Sequence, residues 1–263
     1  MTAPARVKAG TVFVALLRRD LRVAQRELPF FLLRTTLQPI LFIVVFGYLL
    51  PKMNFVGRDY GAALLPGILA ISLAFSSVQS VALPMVADFG WTKEIEDRLL
   101  APVPIRLVAL EKIVAGVIQG LIAAVFVLPI ARLIMGPIPG LTLVHVGAIL
   151  TVTLLGAGAF SGMGLLMGTG IQPQQIGLMF SVIVTPMIFF GCAYYPWQGL
   201  SAVPALKWAV LANPLVYVSE GMRGALTPQL PHMPLGLVVL ALAVLTLGFW
   251  RWGVYTFEQR AVS

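Results

Sequence analysis

Long runs without Asp, Glu, Lys or Arg alternate along this chain with short charged segments. A helix rises 1.5 Å per residue, so about 20 apolar residues cross the hydrocarbon core of a membrane. The longest uncharged run, between Arg132 and Lys207, is too long for one crossing, and the turn-forming residues Gly170 and Pro173 divide it. We therefore predict an all-α membrane protein with six transmembrane helices, near 30–50, 61–84, 111–131, 143–168, 175–195 and 235–255.

Composition supports this interpretation. Of the 263 residues, 59% are hydrophobic and 11% are charged, whereas a soluble domain carries about 25% charged residues. A soluble enzyme, a disordered chain and a nucleic-acid-binding domain are therefore excluded as default interpretations. The single cysteine, Cys192, excludes an intrachain disulfide.

The net charge of +8 is explained by membrane topology. With the N-terminus inside, 12 of the 18 Lys and Arg residues flank the helices on the cytoplasmic side, and 5 flank them outside. The positive-inside rule then predicts a multi-pass protein of the bacterial inner (cytoplasmic) membrane, with both termini in the cytoplasm and a short cytoplasmic tail at 256–263. No nucleic-acid partner is needed to explain the basic charge.

The segment before the first span, residues 1–29, is basic and amphipathic. Apolar side chains such as Val12 and Leu16 alternate over 10–27 with Arg18 and Arg22. Amphipathic basic helices settle on anionic lipid surfaces, which predicts an interfacial helix in contact with membrane lipids. The alternative is a plain basic flank that only fixes topology.

The densest charge in the chain lies between the second and third predicted spans, over residues 92–106. Glu94 and Arg98 are spaced i, i+4, as in a paired short helix, and Pro102 would end that helix. A short rigid charged segment suits docking to another protein. A solvated loop with the same composition is an equal alternative.

The connection before the last span, 196–230, is long and apolar, and prolines interrupt it. Apolar backbone at membrane depth must be helical or covered by protein, which predicts short re-entrant helices at the outer side. An aromatic belt that only anchors the protein is the alternative.

Small residues and polar groups inside the spans point to structure rather than catalysis. The pairs Gly158/Gly162 and Gly164/Gly168 have the small-xxx-small spacing that allows close helix packing. The sequence contains no phosphate-binding G-x-x-x-x-G-K-[ST] motif and no His/Cys motif with metal-ligand spacing, so we predict no catalytic residue, metal or cofactor on this chain. Membrane-embedded Arg34, Gln38, Glu111 and Lys112 lie near the inner side, where a structural role is favoured. An ion-coupled transporter would need a carboxylate at mid-membrane, and a membrane enzyme would depend on Ser161 or a histidine without a supporting motif.

Two segments resemble the permeases of ABC type-2 exporters, in particular the antibiotic-resistance and nodulation-factor branch. The first is Ile95-Glu96-Asp97-Arg98-Leu99-Leu100-Ala101-Pro102-Val103 with Arg106 and Gly116, and the second runs from Phe189-Phe190-Gly191-Cys192-Ala193-Tyr194-Tyr195-Pro196 through Asn213-Pro214-Leu215-Val216-Tyr217 to Glu220-Gly221-Met222-Arg223. Pro104-Ile105 departs from the more polar or basic pair of many relatives.

This resemblance implies a permease subunit without ATPase activity of its own. It would form a homodimer or heterodimer with a second permease copy and bind separate cytoplasmic ABC ATPase subunits, which hold the ATP and Mg²⁺. The exported substrate would be amphipathic: a drug, a lipid-linked saccharide or a glycolipid. By the same resemblance, ATPase coupling would use Glu94, Glu96, Asp97, Arg98, Pro102 and Arg106. The re-entrant outer segment would use Tyr194, Tyr195, Pro196, Trp197, Asn213, Pro214, Glu220 and Arg223.

Overall fold

The computed structural model describes residues 9–57, 60–90, 104–138 and 140–262. These residues form helices joined by turns, with no strand among them, which confirms the all-α prediction. Five helices are long and apolar enough to cross a membrane: α2, α3, α4, α5 and α9. In chain order the helices are α1 (Ala9–Arg26), α2 (Leu28–Lys52), α3 (Tyr60–Gly90), α4 (Ile105–Met135), α5 (Val146–Gly170), α6 (Pro173–Phe189), α7 (Pro204–Ala209), α8 (Pro214–Leu226) and α9 (Leu235–Val262).

The long helices run back and forth, so the bundle has two polar ends. One end, here the Arg106 end, holds α1, the start of α4 and the end of α9, joined by an ion pair between Arg106 and Glu258. The opposite end, here the Glu220 end, holds the start of α3 together with α7 and α8, joined by the contact of Arg223 with Ala63.

Helix α3 forms the centre of the bundle. In its most apolar window 89% of the residues are buried, compared with 22% in α9 and 28% in α2. A helix that is apolar on every side is either covered by other helices or exposed to lipid. Helix α3 accordingly packs against α2, α4, α5 and α8, whereas α9 packs mainly on α5 and leaves one side exposed.

Helix α2 is irregular because proline interrupts it. Pro39 lies inside the helix, and the next turns, Ile43–Leu49, widen into a π-helix. Proline removes one backbone hydrogen bond and crowds the preceding turn, so a local change of helical pitch is expected after it. Gly47 lies in this π-helix, where an added Cβ would come within 2.9 Å of the Met135 sulfur.

The helix at the predicted fifth span is shorter than the sequence suggests. Helix α6 begins at Pro173 and ends at Phe189 instead of 195. The chain then turns through Gly191 and Cys192, where Cys192 takes a φ of 52° that a helix cannot contain. A second difference is that α9 continues through the predicted tail to Val262.

The glycine pairs of α5 face two different helices. An added Cβ at Gly162 would lie 2.7 Å from Trp250 Cδ1 of α9, and one at Gly168 would lie 2.6 Å from Met85 Cβ of α3. Gly158 faces α9 with Gly162, and Gly164 faces α3 with Gly168. The six positions between Gly158 and Gly164 turn the helix by about 240°, which explains why the two pairs point to different neighbours.

Candidate functional site

A buried ion pair on α8 organises the Glu220 end. Glu220 and Arg223 are one turn apart, and both are fully buried. Asn213 starts this helix: its side-chain oxygen accepts from the Leu215 backbone N–H at 3.0 Å, and its amide donates to the Met187 carbonyl at 2.7 Å. The asparagine cap followed by Pro214 favours a helix start at this position.

The carboxylate of Glu220 accepts from three donors on three parts of the chain. The backbone N–H groups of Trp197 and Met233 each donate to it at 2.9 Å. The Arg223 guanidinium supplies the third hydrogen bond and the balancing charge. Buried charges are stable when they are paired and hydrogen-bonded, and Glu220 meets both conditions.

The Arg223 guanidinium extends the connection to α3 and to the turn after α6. It donates to the Cys192 carbonyl at 3.0 Å and to the Ala63 carbonyl at 3.4 Å. Nearby, the Tyr60 hydroxyl donates to the Tyr194 carbonyl at 2.9 Å. We call this set, Glu220, Arg223 and the backbone groups that they bind, the Glu220 latch.

The Cys192 thiol lies inside the Glu220 latch. Burial, and secondarily the negative charge of Glu220, raise the pKa of the thiol to about 12, while Arg223 opposes the shift. Because the thiolate is the reactive form, a buried protonated Cys192 is inert toward alkylating reagents.

Aromatic side chains surround the latch. The Trp197 indole N–H donates to the Lys207 carbonyl at 2.9 Å, and the Lys207 ammonium lies 4.6 Å from the centre of the Trp197 ring. The Tyr195 hydroxyl donates to the Phe189 carbonyl at 3.1 Å. The predicted outer-segment residues therefore come together around α8, with Pro196 starting the 3₁₀ turn Trp197–Ala202.

At the Arg106 end, α1 is attached to the bundle by a second ion pair, whose cation is buried. Lys112 of α4 is buried and contacts the Asp20 carboxylate of α1. A long cationic side chain from a central helix thus reaches the amphipathic helix. This contact fixes the position of α1 along the bundle.

Arg106, the predicted coupling residue that the structure describes, lies in the first turn of α4. Its guanidinium is 2.6 Å from Glu258 of α9, and its side chain is 72% exposed. The start of α4 is therefore joined to the end of α9. The other predicted coupling residues, Glu94, Glu96, Asp97, Arg98 and Pro102, lie outside the described residues.

A polar cavity of about 480 Å³ lies between α1, α2, α3 and α4 at the Arg106 end. Both signs of charge line it, with Arg34 and Lys112 among the cations and Glu27 and Asp88 among the acids. Two of the four membrane-embedded polar residues singled out from the sequence, Arg34 and Lys112, line this cavity, whereas Gln38 and Glu111 do not. A cavity of mixed charge beside an amphipathic helix suits a ligand with a polar headgroup.

Neither a metal site nor a serine hydrolase site emerges from the described part of the chain. It contains no group of three His, Cys, Asp or Glu side chains placed to hold a metal ion. The buried Ser161 hydroxyl has no hydrogen-bond partner there, so no general base activates it. Its surroundings are the close helix contacts of α4 and α5, where it lies against Gly116.

The comparison with known proteins decides the family. The sequence profile of the ABC-2 type transporter matches residues 11–227, which run from the first turn of α1 to the end of α8. The chain belongs to the ABC-2 type transporter family. This confirms the ABC-2 permease predicted from the two sequence segments.

Similar transport permeases support the family assignment. The chain is 29% identical over 196 residues to the inner membrane transport permease YadH of Escherichia coli (strain K12), with 70% of each chain covered. The same identity and coverage relate it to YadH of Escherichia coli O157:H7 and of Shigella flexneri. As an ABC-2 permease with several apolar helices, the chain is a membrane protein of the transport class.

Several groups that bind the charged side chains of this ABC-2 permease were not predicted from the sequence. Asp20 and Glu258 are isolated acids in basic or apolar surroundings, and each proves to be the partner of a cation on α4. A lone carboxylate in a basic or apolar helix is a usable signal for such pairs. The Cys192 carbonyl and the Met233 N–H carry no signal in the sequence, because any residue offers the same backbone groups.

Proposed function

We propose that this ABC-2 permease is the membrane subunit of an ATP-driven exporter that moves an amphipathic substrate out across the cytoplasmic membrane. Family membership is the observation that carries the proposal. The chain acts with separate cytoplasmic ATPase subunits and a second permease copy, and the ATPases hold the ATP and Mg²⁺. The drug, lipid-linked saccharide or glycolipid classes all provide the polar headgroup that the cavity beside α1 suits.

The proposed topology has six crossings, with the Arg106 end in the cytoplasm. The 17 residues of α6 span about 25 Å, at the lower limit for a crossing helix. The basic α1 then lies on the inner surface, and the re-entrant segment around α7 and α8 lies at the outer side. The placement of α1 inside and of the α7–α8 segment outside follows from the distribution of Lys and Arg.

The coupling route runs through the segment 92–106. This segment joins α3 to α4, so a displacement of the segment by the ATPases moves both helices together. The Arg106–Glu258 pair supports the route, because it joins the same end of α4 to α9. Coupling of this kind needs rigid elements, and α3 and α4 are each 31 residues long.

Co-purification and transport assays test the partner and the coupling segment. The permease is purified with the ATPase encoded beside it, and both are reconstituted into vesicles. We expect Asp97→Ala and Arg98→Ala to abolish ATP-driven transport, whereas Arg132→Ala, which removes an exposed cation from the other end of α4, leaves transport unchanged. Full transport in both coupling variants, or transport without any ATPase, contradicts the proposal.

A cysteine-labelling experiment tests whether α6 crosses the membrane. Gln172→Cys and Gln198→Cys place exposed thiols on either side of α6, while the native Cys192 is buried. In intact cells a membrane-impermeant maleimide should label position 198 and not 172. Labelling of both positions from one side would show that α6 does not cross.

A further inference from the structure

A groove of about 740 Å³ lies between the start of α4 and the last turns of α9, away from the Glu220 latch and the polar cavity. Its walls change character along α9. Arg106, Arg251 and Glu258 form one end, and Leu110 and Leu247 form the other. A groove with charged walls at one end and apolar walls at the other fits a molecule with a charged head and an apolar tail.

The groove continues into an exposed apolar stripe on α9. Leu240, Val244 and Leu247 lie on one face and are 67%, 63% and 68% exposed. Arg251, four residues after Leu247, and Glu258, seven residues after Arg251, continue the same face. The rise of the helix places Arg251 about 6 Å from Leu247 and Glu258 about 10 Å beyond Arg251.

Aromatic side chains mark the depth of the charged end. Trp252 and Tyr255 line the groove and are 59% and 58% exposed. Trp and Tyr concentrate at the level of lipid headgroups, where an apolar ring meets a wet edge. Arg251 therefore lies near the headgroup boundary, with the apolar stripe toward the membrane interior.

The charge of the groove selects an anion. Arg106 and Arg251 outnumber Glu258, and Arg106 is already paired with Glu258 at 2.6 Å. No hydrogen bond or ion pair joins Arg251 to another of the described residues. Basic pockets between transmembrane helices bind anionic lipid headgroups, and the lipid tail supplies apolar contacts that a free anion lacks.

We propose that this groove binds one anionic phospholipid of the surrounding bilayer. Its phosphate is held by Arg251 and by Arg106, and one acyl chain lies along Leu240, Val244 and Leu247. Glu258 competes with the phosphate for Arg106, so it lowers the affinity of the site. The site concerns the lipid environment of the permease and does not depend on an ATPase partner.

Native mass spectrometry of the purified permease in detergent tests the site. The protein is titrated with phosphatidylglycerol or with phosphatidylcholine of the same acyl chains, and bound lipids are counted per chain. A cation near an anionic headgroup contributes ~1 kcal/mol, or about five-fold in affinity. We expect phosphatidylglycerol to bind at least about five-fold more tightly than phosphatidylcholine, by the same reasoning.

Two variants with opposite expected effects on lipid affinity test the site further. Arg251→Gln should weaken phosphatidylglycerol binding about five-fold, and Glu258→Gln should strengthen it about five-fold, because it frees Arg106. Arg132→Gln, which removes an exposed cation at the opposite end of α4, is the matched control and should leave this binding step unchanged. Equal losses in Arg251→Gln and Arg132→Gln, or weaker binding in Glu258→Gln, would overturn the site.

Two further experiments distinguish a bound lipid from other occupants of the groove. Glycerol 3-phosphate should not displace bound phosphatidylglycerol, since it lacks acyl chains; equal competition would make this a free-phosphate site. Leu247→Cys should not form a disulfide between two copies in membranes. Efficient crosslinking there would put a second chain in the groove and overturn the lipid assignment.

Discussion

Replacing Glu220 with alanine removes the carboxylate on which three donors of the Glu220 latch converge. The Arg223 guanidinium is then left buried without its balancing charge, and the N–H groups of Trp197 and Met233 lose their acceptor. Removal of one partner of a buried ion pair costs about 3–5 kcal/mol, even before the two N–H groups are considered. Taking the lower value, local opening of the latch should become about 100-fold more frequent.

The only cysteine of the chain reports this opening. Cys192 is fully buried, and its carbonyl accepts from Arg223 at 3.0 Å, so the thiol becomes accessible when the latch opens. The rate of alkylation by N-ethylmaleimide at neutral pH, measured in membranes by intact-protein mass spectrometry, follows the open fraction. We expect Glu220→Ala to react about 100-fold faster than the native protein.

Two controls separate opening from a change in thiol chemistry. Loss of the Glu220 charge also lowers the pKa of Cys192, so a variant of unchanged charge is needed. Tyr60→Phe removes one hydrogen bond to the Tyr194 carbonyl without altering charge, and should accelerate labelling about five-fold, for a hydrogen bond of about 1 kcal/mol. Glu258→Ala, at the far end of the bundle, should not change the rate. Unchanged labelling in Glu220→Ala, with complete labelling after denaturation, would refute the reasoning.

Three further predictions concern other parts of the fold. Gly162→Ala and Gly168→Ala should each lower stability by about 1–3 kcal/mol in a thermal unfolding assay, because both Cβ atoms would overlap a neighbouring helix, whereas Gly236→Ala, with open space around it, should not. Lys112→Met should loosen α1 and speed tryptic cleavage at its arginines, while Lys52→Met should not; equal cleavage rates would argue against the Asp20 contact. Alkylation of native Cys192 should stay slow as the pH passes 9.0, the ordinary pKa of the thiol, because the folded thiol stays protonated up to about pH 12. In the denatured chain, the alkylation rate should instead rise with pH up to 9.0. Parallel pH profiles of the folded and denatured protein would contradict the raised pKa of Cys192.

The long helices were predictable because the absence of charge over a whole crossing is a strong and local signal. Tyr60–Gly90 and Val146–Gly170 differ from the predicted spans mainly at their ends, where charged or turn residues are tolerated within a helix. The end of α6 was predicted six residues too late, since Phe190 and Ala193 are apolar whether or not the backbone turns between them. Hydropathy reports the environment of a residue and does not report its backbone angle.

The residues that form the Glu220 end could be predicted from the sequence, but the hydrogen bonds that join them could not. Glu220 and Arg223 were singled out by resemblance, and their spacing of three residues already allowed a pair on one helix face. Their backbone partners come from positions 63, 192, 197 and 233, which meet only because the chain folds back after α6. Hydrogen bonds to backbone groups depend on how the chain folds, so no residue type in the sequence predicts them.

The α4–α9 contact at the Arg106 end is weaker than the Glu220 latch, and this difference bears on the proposed coupling. The Glu220 latch is buried and multiply bonded, whereas the Arg106–Glu258 pair is largely exposed, and exposed pairs contribute about 0–1 kcal/mol. A displacement applied to the segment 92–106 therefore meets little resistance from the α4–α9 contact, while the Lys112–Asp20 contact carries α1 along with α4. The same displacement meets a rigid connection at the far end of α3, where Arg223 binds Ala63. A helix that is held firmly at one end tilts about that end when the other end is displaced, so within the proposed function the latch acts as the pivot of α3.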